Sequence, residues 1–287
     1  MISFEKPVTE LIRARCSWRT YEPGPLSVEH VHGIHEFLAN LPEPPFGSRI
    51  RIMLAEAPDT GFGRIRGTYG VISGASNFLV GVMKFSEKSF VDYGYIFESA
   101  ILKITSLGLA TCWMGGTFDR GFFSETAQLK VYEIIPTISP VGIASKKRSL
   151  IDSTFALVAG SRKRKPWSTL FFRNTFGTPL SEEEAGPFAL ALEMVRLAPS
   201  ATNQQPWRVI MDDSGLHFYL MRTLGYGKII KEAGLQSVDM GIAMFHFEQT
   251  MLESGLPGSW RVLAMDSEAL PARTEYVASW VIDEKVL

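Results

Sequence analysis

The segment RCSWR at residues 15–19 carries two arginines and a serine at alternating positions. In an extended backbone the side chains of Arg15, Ser17 and Arg19 would point to the same side. A guanidinium group offers several donors in a fixed, forked geometry, so two of them beside a hydroxyl could bind a phosphate or another polar cofactor group. The alternative is a pair of surface arginines without a ligand, and the spacing alone favours that alternative.

Two other segments could contribute to a binding site. The run KKR at residues 146–148 follows the apolar segment TISPVGI, although a solvated strand edge would explain the same cations. The segment APSATNQQPW at 198–207 places hydroxyl and carboxamide side chains between Pro199 and Pro206. Because prolines restrict the backbone, this segment is predicted to form a rigid turn that offers hydrogen bonds.

The chain also contains an internal repeat. The sequence VDYGYIFESAILKITSLGLATCW at 91–113 aligns without a gap with VDMGIAMFHFEQTMLESGLPGSW at 238–260, which starts 147 residues later. Apolar residues recur at spacings of three and four in both, and a glycine follows, so each segment is predicted to be a helix of roughly four turns. The shared aspartate lies near the start of each helix, where a negative charge is favourable.

A weaker repeat lies upstream, between WRTYEPGPLSVEHV at 18–31 and RNTFGTPLSEEEAG at 173–186. Ser27 and Ser181 are the expected N-caps, and Ser181 has capping-box spacing to Glu184. The strand candidates are residues 49–57, 77–85, 207–213 and 216–222.

These patterns predict an α+β fold built from two tandem halves that form an intramolecular pseudo-dimer. The predicted halves are residues 1–160 and 168–287, and a basic, solvated linker at 161–167 joins them. A chain of this length can form one large domain or two smaller ones.

The residues that could do chemistry are shared unequally between the halves. In the alignment Arg15 and Ser17 correspond to Thr169 and Phe171, and only Arg19 retains an arginine counterpart. The first half has LANLPEPPF where the second has the Ser-Asn turn. This asymmetry predicts one complete composite site between the halves and the loss of its symmetry mate.

The composition excludes several classes of protein. A net charge of −1 gives no overall attraction to nucleic acid or to an acidic membrane surface. Cys16 and Cys112 lie far apart and are expected to be reduced thiols. The apolar runs are too short to span a bilayer, so the protein is expected to be soluble and cytoplasmic. In HVHGIH, only His32 and His35 would share a helix face, which argues against a metal site.

RCSWR, the PSATNQQPW turn and GLATCWMGG at 108–116 together resemble the FMN-dependent nitroreductase family, specifically its single-chain, internally duplicated members. The resemblance covers nearly the whole chain. Members are usually homodimers with two FMN sites at the subunit interface, each built from an Arg-x-Ser segment of one subunit and a Pro-Ser-x-x-Asn segment of the other. The resemblance therefore implies a monomer with one intact FMN site between its fused halves.

The resemblance also implies individual roles. The FMN phosphate would be held by Arg15 with Lys147 or Arg148, in a cluster with Lys146. Ser17 would bond the ribityl chain or phosphate, Arg19 would lie near the pyrimidine end of the isoalloxazine, and the N–H groups of Met114 and Gly115 would approach flavin N5. The full set of predicted cofactor-binding residues is Arg15, Cys16, Ser17, Arg19, Trp113, Met114, Gly115, Gly116, Lys146, Lys147, Arg148, Pro199, Ser200, Ala201 and Asn203.

The implied reaction is hydride transfer from NAD(P)H to flavin N5, followed by reduction of a small acceptor such as a nitroaromatic or a quinone. The sequence shows no dinucleotide fingerprint, which suits a donor that stacks on the flavin and needs no pocket of its own. Two alternatives stay open. The protein could bind, store or sense flavin without turnover, or it could be a regulator that grips colourless nucleotides through RCSWR.

Overall fold

The structure is a computed structural model that describes residues 2, 4–57, 65, 67–146, 163–224, 234–265 and 270–282. Within these residues the α-helices are α1 (Val8–Ala14), α2 (Val28–Ala39), α3 (Ser89–Ser106), α4 (Arg120–Thr126), α5 (Glu182–Ala185), α6 (Ala189–Leu197) and α7 (Leu235–Glu253). The strands are β1 (Ile50–Glu56), β2 (Asn77–Lys84), β3 (Ala110–Thr111), β4 (Glu133–Ile134), β5 (Ile138–Gly142), β6 (Phe171–Arg173), β7 (Trp207–Asp212), β8 (Gly215–Met221), β9 (Gly258–Arg261) and β10 (Thr274–Ile282).

The strands form two sheets with matching order. One sheet runs β1-β2-β5-β3, with β4 also paired to β2, and the other runs β6-β7-β8-β10-β9. In each sheet an antiparallel hairpin, β1-β2 or β7-β8, is followed in the chain by a long helix, and a later strand, β5 or β10, lies between the hairpin and a short strand, β3 or β9. Strand β6 extends the second sheet beyond β7. The fold is therefore mixed helix and sheet, as predicted, and the four strand candidates correspond to β1, β2, β7 and β8.

The two long helices, α3 and α7, pack against each other between the sheets. A Cβ atom on Gly94 of α3 would overlap the backbone carbonyl of Val238, and a Cβ atom on Gly241 of α7 would overlap that of Val91. The two contacts are equivalent, because at the repeat offset of 147 residues Gly94 corresponds to Gly241 and Val91 corresponds to Val238. The reciprocal packing is what a duplication would produce, and the duplication itself stays an interpretation.

Local signals in the sequence correctly predicted where several helices begin or end. Gly108 follows α3 with φ = 77° and Gly255 follows α7 with φ = 75°, a left-handed conformation that glycine adopts without strain. The Ser27 hydroxyl accepts a hydrogen bond from His30 N at the start of α2. Ser181 and Glu184 form the predicted capping box at the start of α5.

One large hydrophobic core extends through both sequence halves, because it contains residues of α1, α3 and β2 together with residues of α6, β8 and α7. A smaller core, made only of residues between Tyr21 and Ile138, lies in the first half. The two halves thus share a core across their contact. None of the described helices is both long enough and apolar enough to cross a membrane.

Candidate functional site

A cleft of about 210 Å³ lies beside the RCSWR segment. Arg15, Cys16 and Trp18 line one side of it, and residues 108–111 line another. RCSWR is held there by backbone pairing, since Ser17 forms a parallel bridge with Thr111 and Trp18 N donates to Thr111 O at 2.9 Å. An extended segment beside a strand end therefore forms the wall of the cleft.

The segment that leads to the KKR run pairs with the residues that directly follow RCSWR. Ser145 N donates to Thr20 O at 3.1 Å, Glu22 N donates to Ile143 O at 2.9 Å, and Ala144 lines the same cleft. Lys146 is exposed just beyond this contact. The predicted partners Lys147 and Arg148 lie outside the described residues.

Arg15 directs an unsatisfied guanidinium into this region. The residue stands at the C-terminal end of α1, and its N–H donates to Leu11 O at 2.8 Å. Its Nε and Nη1 atoms are buried, and neither has a hydrogen-bond partner in the described part of the chain. A buried charged donor without an acceptor is unfavourable, so an oxyanion is the kind of ligand that these two nitrogens fit.

A second arginine, Arg164, binds the PSATN turn. Its Nη2 donates to Leu197 O at 3.0 Å and its Nη1 donates to Asn203 Oδ1 at 3.2 Å. Burial lowers the pKa of Arg164, and the positive charge of Arg15 lowers it further. A residue of the linker is therefore hydrogen-bonded to the turn and lies within electrostatic reach of Arg15.

The linker is less solvated than predicted. Lys163 is exposed, but Arg164 and Lys165 are half-buried, and all three residues hydrogen-bond to the protein. Lys163 O accepts from Asn203 Nδ2 at 2.9 Å, and Lys165 N donates to the side-chain oxygen of Gln205 at 2.8 Å. The Lys165 ammonium donates to Gln204 O at 2.6 Å. Burial, with a smaller effect of a neighbouring arginine, lowers the pKa of Lys165 to about 8.

The turn at 198–205 is tightly hydrogen-bonded within itself. Thr202, Asn203 and Gln205 have φ values of 48°, 55° and 48°, which non-glycine residues seldom adopt. The Ser200 hydroxyl accepts from Gln205 N at 2.8 Å. The polar side chains that were predicted to bind a ligand thus mostly form hydrogen bonds within the turn and to the linker. Pro199 and Ala201 are half-buried beside them.

A buried aspartate of α7 supports the same turn. Asp239 is 3% exposed, and its Oδ1 accepts from Ala201 N at 2.9 Å. Its Oδ2 has no hydrogen-bond partner among the described residues, and burial raises the pKa of the carboxyl group well above its usual range. Asp92, its counterpart in α3, accepts from Phe46 N and Ser48 N at 2.9 Å each, in the loop that replaces the turn.

These contacts revise the expected role of the two aspartates. Each was expected to favour a helix N-terminus through its negative charge. Asp92 lies in the first turn of α3, as expected, but burial raises the pKa of both Asp92 and Asp239, so their carboxyl groups ionise less readily than exposed ones. Their common function in the fold is to tie a loop to the central helix pair.

Asp239→Asn is expected to stabilise the protein at neutral pH. Because the folded pKa is raised, the folded state binds more protons than the unfolded state once the pH exceeds about 4. Wild-type stability then falls by up to about 1.4 kcal/mol per pH unit until the folded pKa is passed. Asparagine keeps an acceptor for Ala201 N and does not ionise.

Urea denaturation over a series of pH values measures this effect. The stability gain of Asp239→Asn should grow with pH above about 4 and vanish below it. Asp239→Ala also cannot ionise but lacks the acceptor, so it separates the charge from the hydrogen bond. A gain of equal size at every pH would contradict the assignment.

In the segment at residues 113–116, one backbone N–H group has a different partner from the one expected. Met114 is buried, its N–H donates to Ile138 O at 2.9 Å, and its carbonyl accepts from Ile138 N, so the sheet uses the N–H that was expected to face a flavin. Gly115 lies against α7, where a Cβ would come within 2.8 Å of the Leu235 side chain. Gly116 is exposed, and a Cβ there would meet no atom within 4 Å.

The remaining predicted residues have varied surroundings. Ser17 and Arg19 are half-buried, and Cys16 is an exposed thiol on the rim of the cleft. Cys112 is buried, as expected of a small apolar side chain. Among the described residues no group of three or more histidine, cysteine, aspartate or glutamate side chains is placed to hold a metal ion.

Sequence reasoning missed a buried polar cluster between the central helices. Glu98 of α3 and His246 of α7 are both 0% exposed and lie 2.9 Å apart, and Trp113 donates its indole N–H to Glu98 at 2.8 Å. His246 was predicted to be packed, which is confirmed, but its contact with Glu98 was not foreseen. The available signal was a glutamate among the apolar residues of the first repeat helix.

The chain is similar to known proteins in both sequence and structure. The sequence model of the family described as "Putative TM nitroreductase" matches residues 7–251. A crystal structure of a "putative nitroreductase" from Thermotoga maritima is similar over 98% of this chain and 96% of its own, with 19% identity and a TM-score of 0.61. A search of curated proteins found no match.

Two further solved structures are similar over about half of the chain. One is an FMN-dependent nitroreductase from Clostridium difficile, with 18% identity, coverage of 50% of this chain and 92% of its own, and a TM-score of 0.38. The other is a "Putative NADH Oxidase" from Clostridium acetobutylicum, with 18% identity, coverage of 48% and 89%, and a TM-score of 0.37. Because the family model matches most of the sequence, from α1 to α7, this chain belongs to the nitroreductase family.

Proposed function

We propose that this protein is an FMN-dependent oxidoreductase that takes electrons from NAD(P)H and passes them to a small acceptor such as a nitroaromatic or a quinone. The observation that carries the proposal is the pair of buried, unsatisfied nitrogens of Arg15 beside a cleft. Membership of the nitroreductase family and the resemblance of RCSWR and PSATN to FMN-binding segments support FMN as the ligand.

The residues present fit the anionic end of this cofactor. Arg15 would bind the phosphate through charge-assisted hydrogen bonds, and Ser17 on the same extended segment would add a hydroxyl. Lys146 and the two residues after it would extend the cationic cluster from the segment that pairs with the residues after RCSWR. Arg164 would add a further positive charge from the linker, within electrostatic reach of Arg15.

Backbone and small residues would receive the planar ring system. Gly115 and Gly116 allow a close approach because neither presents a side chain. Pro199 and Ala201 form the opposing surface, held in place by Asp239 and by the hydrogen bonds of the turn. Arg19 would stabilise negative charge at the pyrimidine end. FMN, when bound, supplies hydride chemistry that amino-acid side chains lack.

The proposal includes a single site per chain. The loop of the first half that is bound by Asp92 has no Pro-Ser-x-x-Asn motif, and in the second half Thr169 and Phe171 replace the arginine and serine of RCSWR. The second site of a family homodimer would therefore have no means of binding FMN here. Together with the reciprocal packing of Gly94 and Gly241, this supports a duplicated chain that works as a monomer. The proposal places this monomer in the cytoplasm.

The test is steady-state oxidation of NADH and NADPH by the FMN-loaded protein with a quinone or a nitroaromatic. Sustained, acceptor-dependent oxidation is expected. Tight FMN binding without turnover would favour a flavin-storage or sensing protein instead. Preference for colourless nucleotides over FMN would favour the regulator and overturn the proposal.

A further inference from the structure

A chain of hydrogen bonds crosses the contact between the two central helices. The Trp113 indole donates to Glu98 Oε2 at 2.8 Å, and Glu98 Oε1 lies 2.9 Å from His246 Nε2. The other ring nitrogen of His246, Nδ1, lies 3.1 Å from the carbonyl oxygen of Met194 in α6. Glu98 and His246 are both fully buried, so this path is shielded from water.

The chemistry of the partners fixes most of the protons. A carbonyl oxygen can only accept, so His246 Nδ1 must carry a proton. Trp113 can only donate, so Glu98 Oε2 accepts from it. One proton then lies between Glu98 Oε1 and His246 Nε2, and every polar atom along the path has a partner. A fully satisfied buried network of this kind favours one geometry over its alternatives.

The two ends of this path lie at the two segments of the proposed FMN site. Trp113 immediately precedes Met114, Gly115 and Gly116, while Met194 lies in α6, which runs directly into the turn at 198–205. We propose that Glu98 and His246 are positioning residues that set the spacing between these segments across the contact of the halves. The FMN part of this inference rests on the proposed function, whereas the mechanical coupling does not.

A second cluster provides a matched control. Glu248 of α7 accepts from the Trp260 indole and from the Tyr95 hydroxyl, both at 2.8 Å. Trp260 corresponds to Trp113 at the repeat offset, but it lies on β9 and not beside either site segment. Removing this cluster changes a similar number of buried polar groups without touching the path between the segments.

Three variants separate positioning from ordinary stabilisation. The double variant Glu98→Met/His246→Leu replaces both hydrogen-bonded partners by apolar side chains of similar size, a change that can be nearly neutral for stability. In Glu98→Gln the amide oxygen can still accept from Trp113 and the amide nitrogen can donate to a neutral His246, so this variant should preserve the path. The control is Tyr95→Phe/Glu248→Met.

The first measurement is amide hydrogen exchange on the FMN-free proteins. The Glu98→Met/His246→Leu variant should exchange faster at both 112–116 and 198–205, while Glu98→Gln and the control exchange there as the wild type does. Acceleration at only one segment, or at neither, in the folded double variant would overturn the inference. Equal acceleration in the control would also overturn it, because it would indicate general loosening.

The second measurement is FMN titration followed by flavin fluorescence. The Kd should rise by about tenfold to a hundredfold in the double variant, as expected when binding groups are displaced by a fraction of an ångström, and should stay within a factor of about two in Glu98→Gln and the control. An unchanged Kd in the double variant would contradict positioning of the site. If the wild type binds no FMN, the proposed function fails, and hydrogen exchange still decides the coupling.

Discussion

Arg15→Ala is expected to weaken FMN binding by roughly one to two orders of magnitude, because a hydrogen bond to a charged group contributes about 1.5–3 kcal/mol. Arg15 is the predicted site residue best suited to bind an anion. Two of its guanidinium nitrogens are buried beside the cleft and have no hydrogen-bond partner in the described chain. Titration of the purified variant with FMN measures the loss directly.

Arg13→Ala is the matched control for this change. Arg13 lies in the last turn of the same helix, carries the same charge and is exposed. Its removal should alter FMN affinity only slightly, through long-range electrostatics that salt screens. If Arg15→Ala bound FMN as tightly as the wild type, a phosphate site at RCSWR would be contradicted. If Arg13→Ala lost as much affinity as Arg15→Ala, the loss would be due to net charge and not to a direct contact.

Gly94→Ala is expected to destabilise the fold by about 3 kcal/mol or more, although alanine is the better helix former. The added Cβ would overlap the backbone carbonyl of Val238, and a backbone atom cannot move aside as a flexible side chain can. Gly241→Ala should have a similar effect, because its Cβ would overlap the carbonyl of Val91. Both changes force α3 and α7 apart at their closest approach.

Gly33→Ala supplies the comparison for Gly94→Ala. Gly33 is also within a helix, but a Cβ there would lie 3.6 Å from the Leu107 side chain, which is an ordinary contact. This variant should gain about 0.5–1 kcal/mol from helix propensity. Urea denaturation followed by circular dichroism measures all three, and a Gly94→Ala protein as stable as Gly33→Ala would contradict the close helix packing.

The parts of the fold that depend on local chemistry could be predicted from the sequence. Ser27 and Ser181 cap helices because their hydroxyls reach nearby backbone N–H groups, and Gly108 ends α3 because it can adopt a positive φ. The hairpin strands follow from short runs that are rich in apolar and aromatic residues. Each of these signals acts over a few residues, so no knowledge of the tertiary structure is required.

The parts of the site that depend on distant partners could not be predicted in this way. The sequence identified Asn203 as a candidate ligand, but its carboxamide holds Lys163 and Arg164 of a linker that looked solvated. Met114 N–H was expected to face a flavin, and its partner in the sheet is Ile138. A run of charged residues predicts solvent exposure because of its composition. Its burial beside a polar turn depends on the tertiary structure and could not be predicted from composition.

The number of FMN molecules bound per chain tests the central claim most directly. The protein is saturated with FMN, excess cofactor is removed, and flavin absorbance is compared with protein concentration. A single composite site between the halves predicts one FMN per chain, reduced strongly in Arg15→Ala. Two per chain would contradict the loss of the second site, and none would contradict the assignment of the protein as an FMN-dependent oxidoreductase.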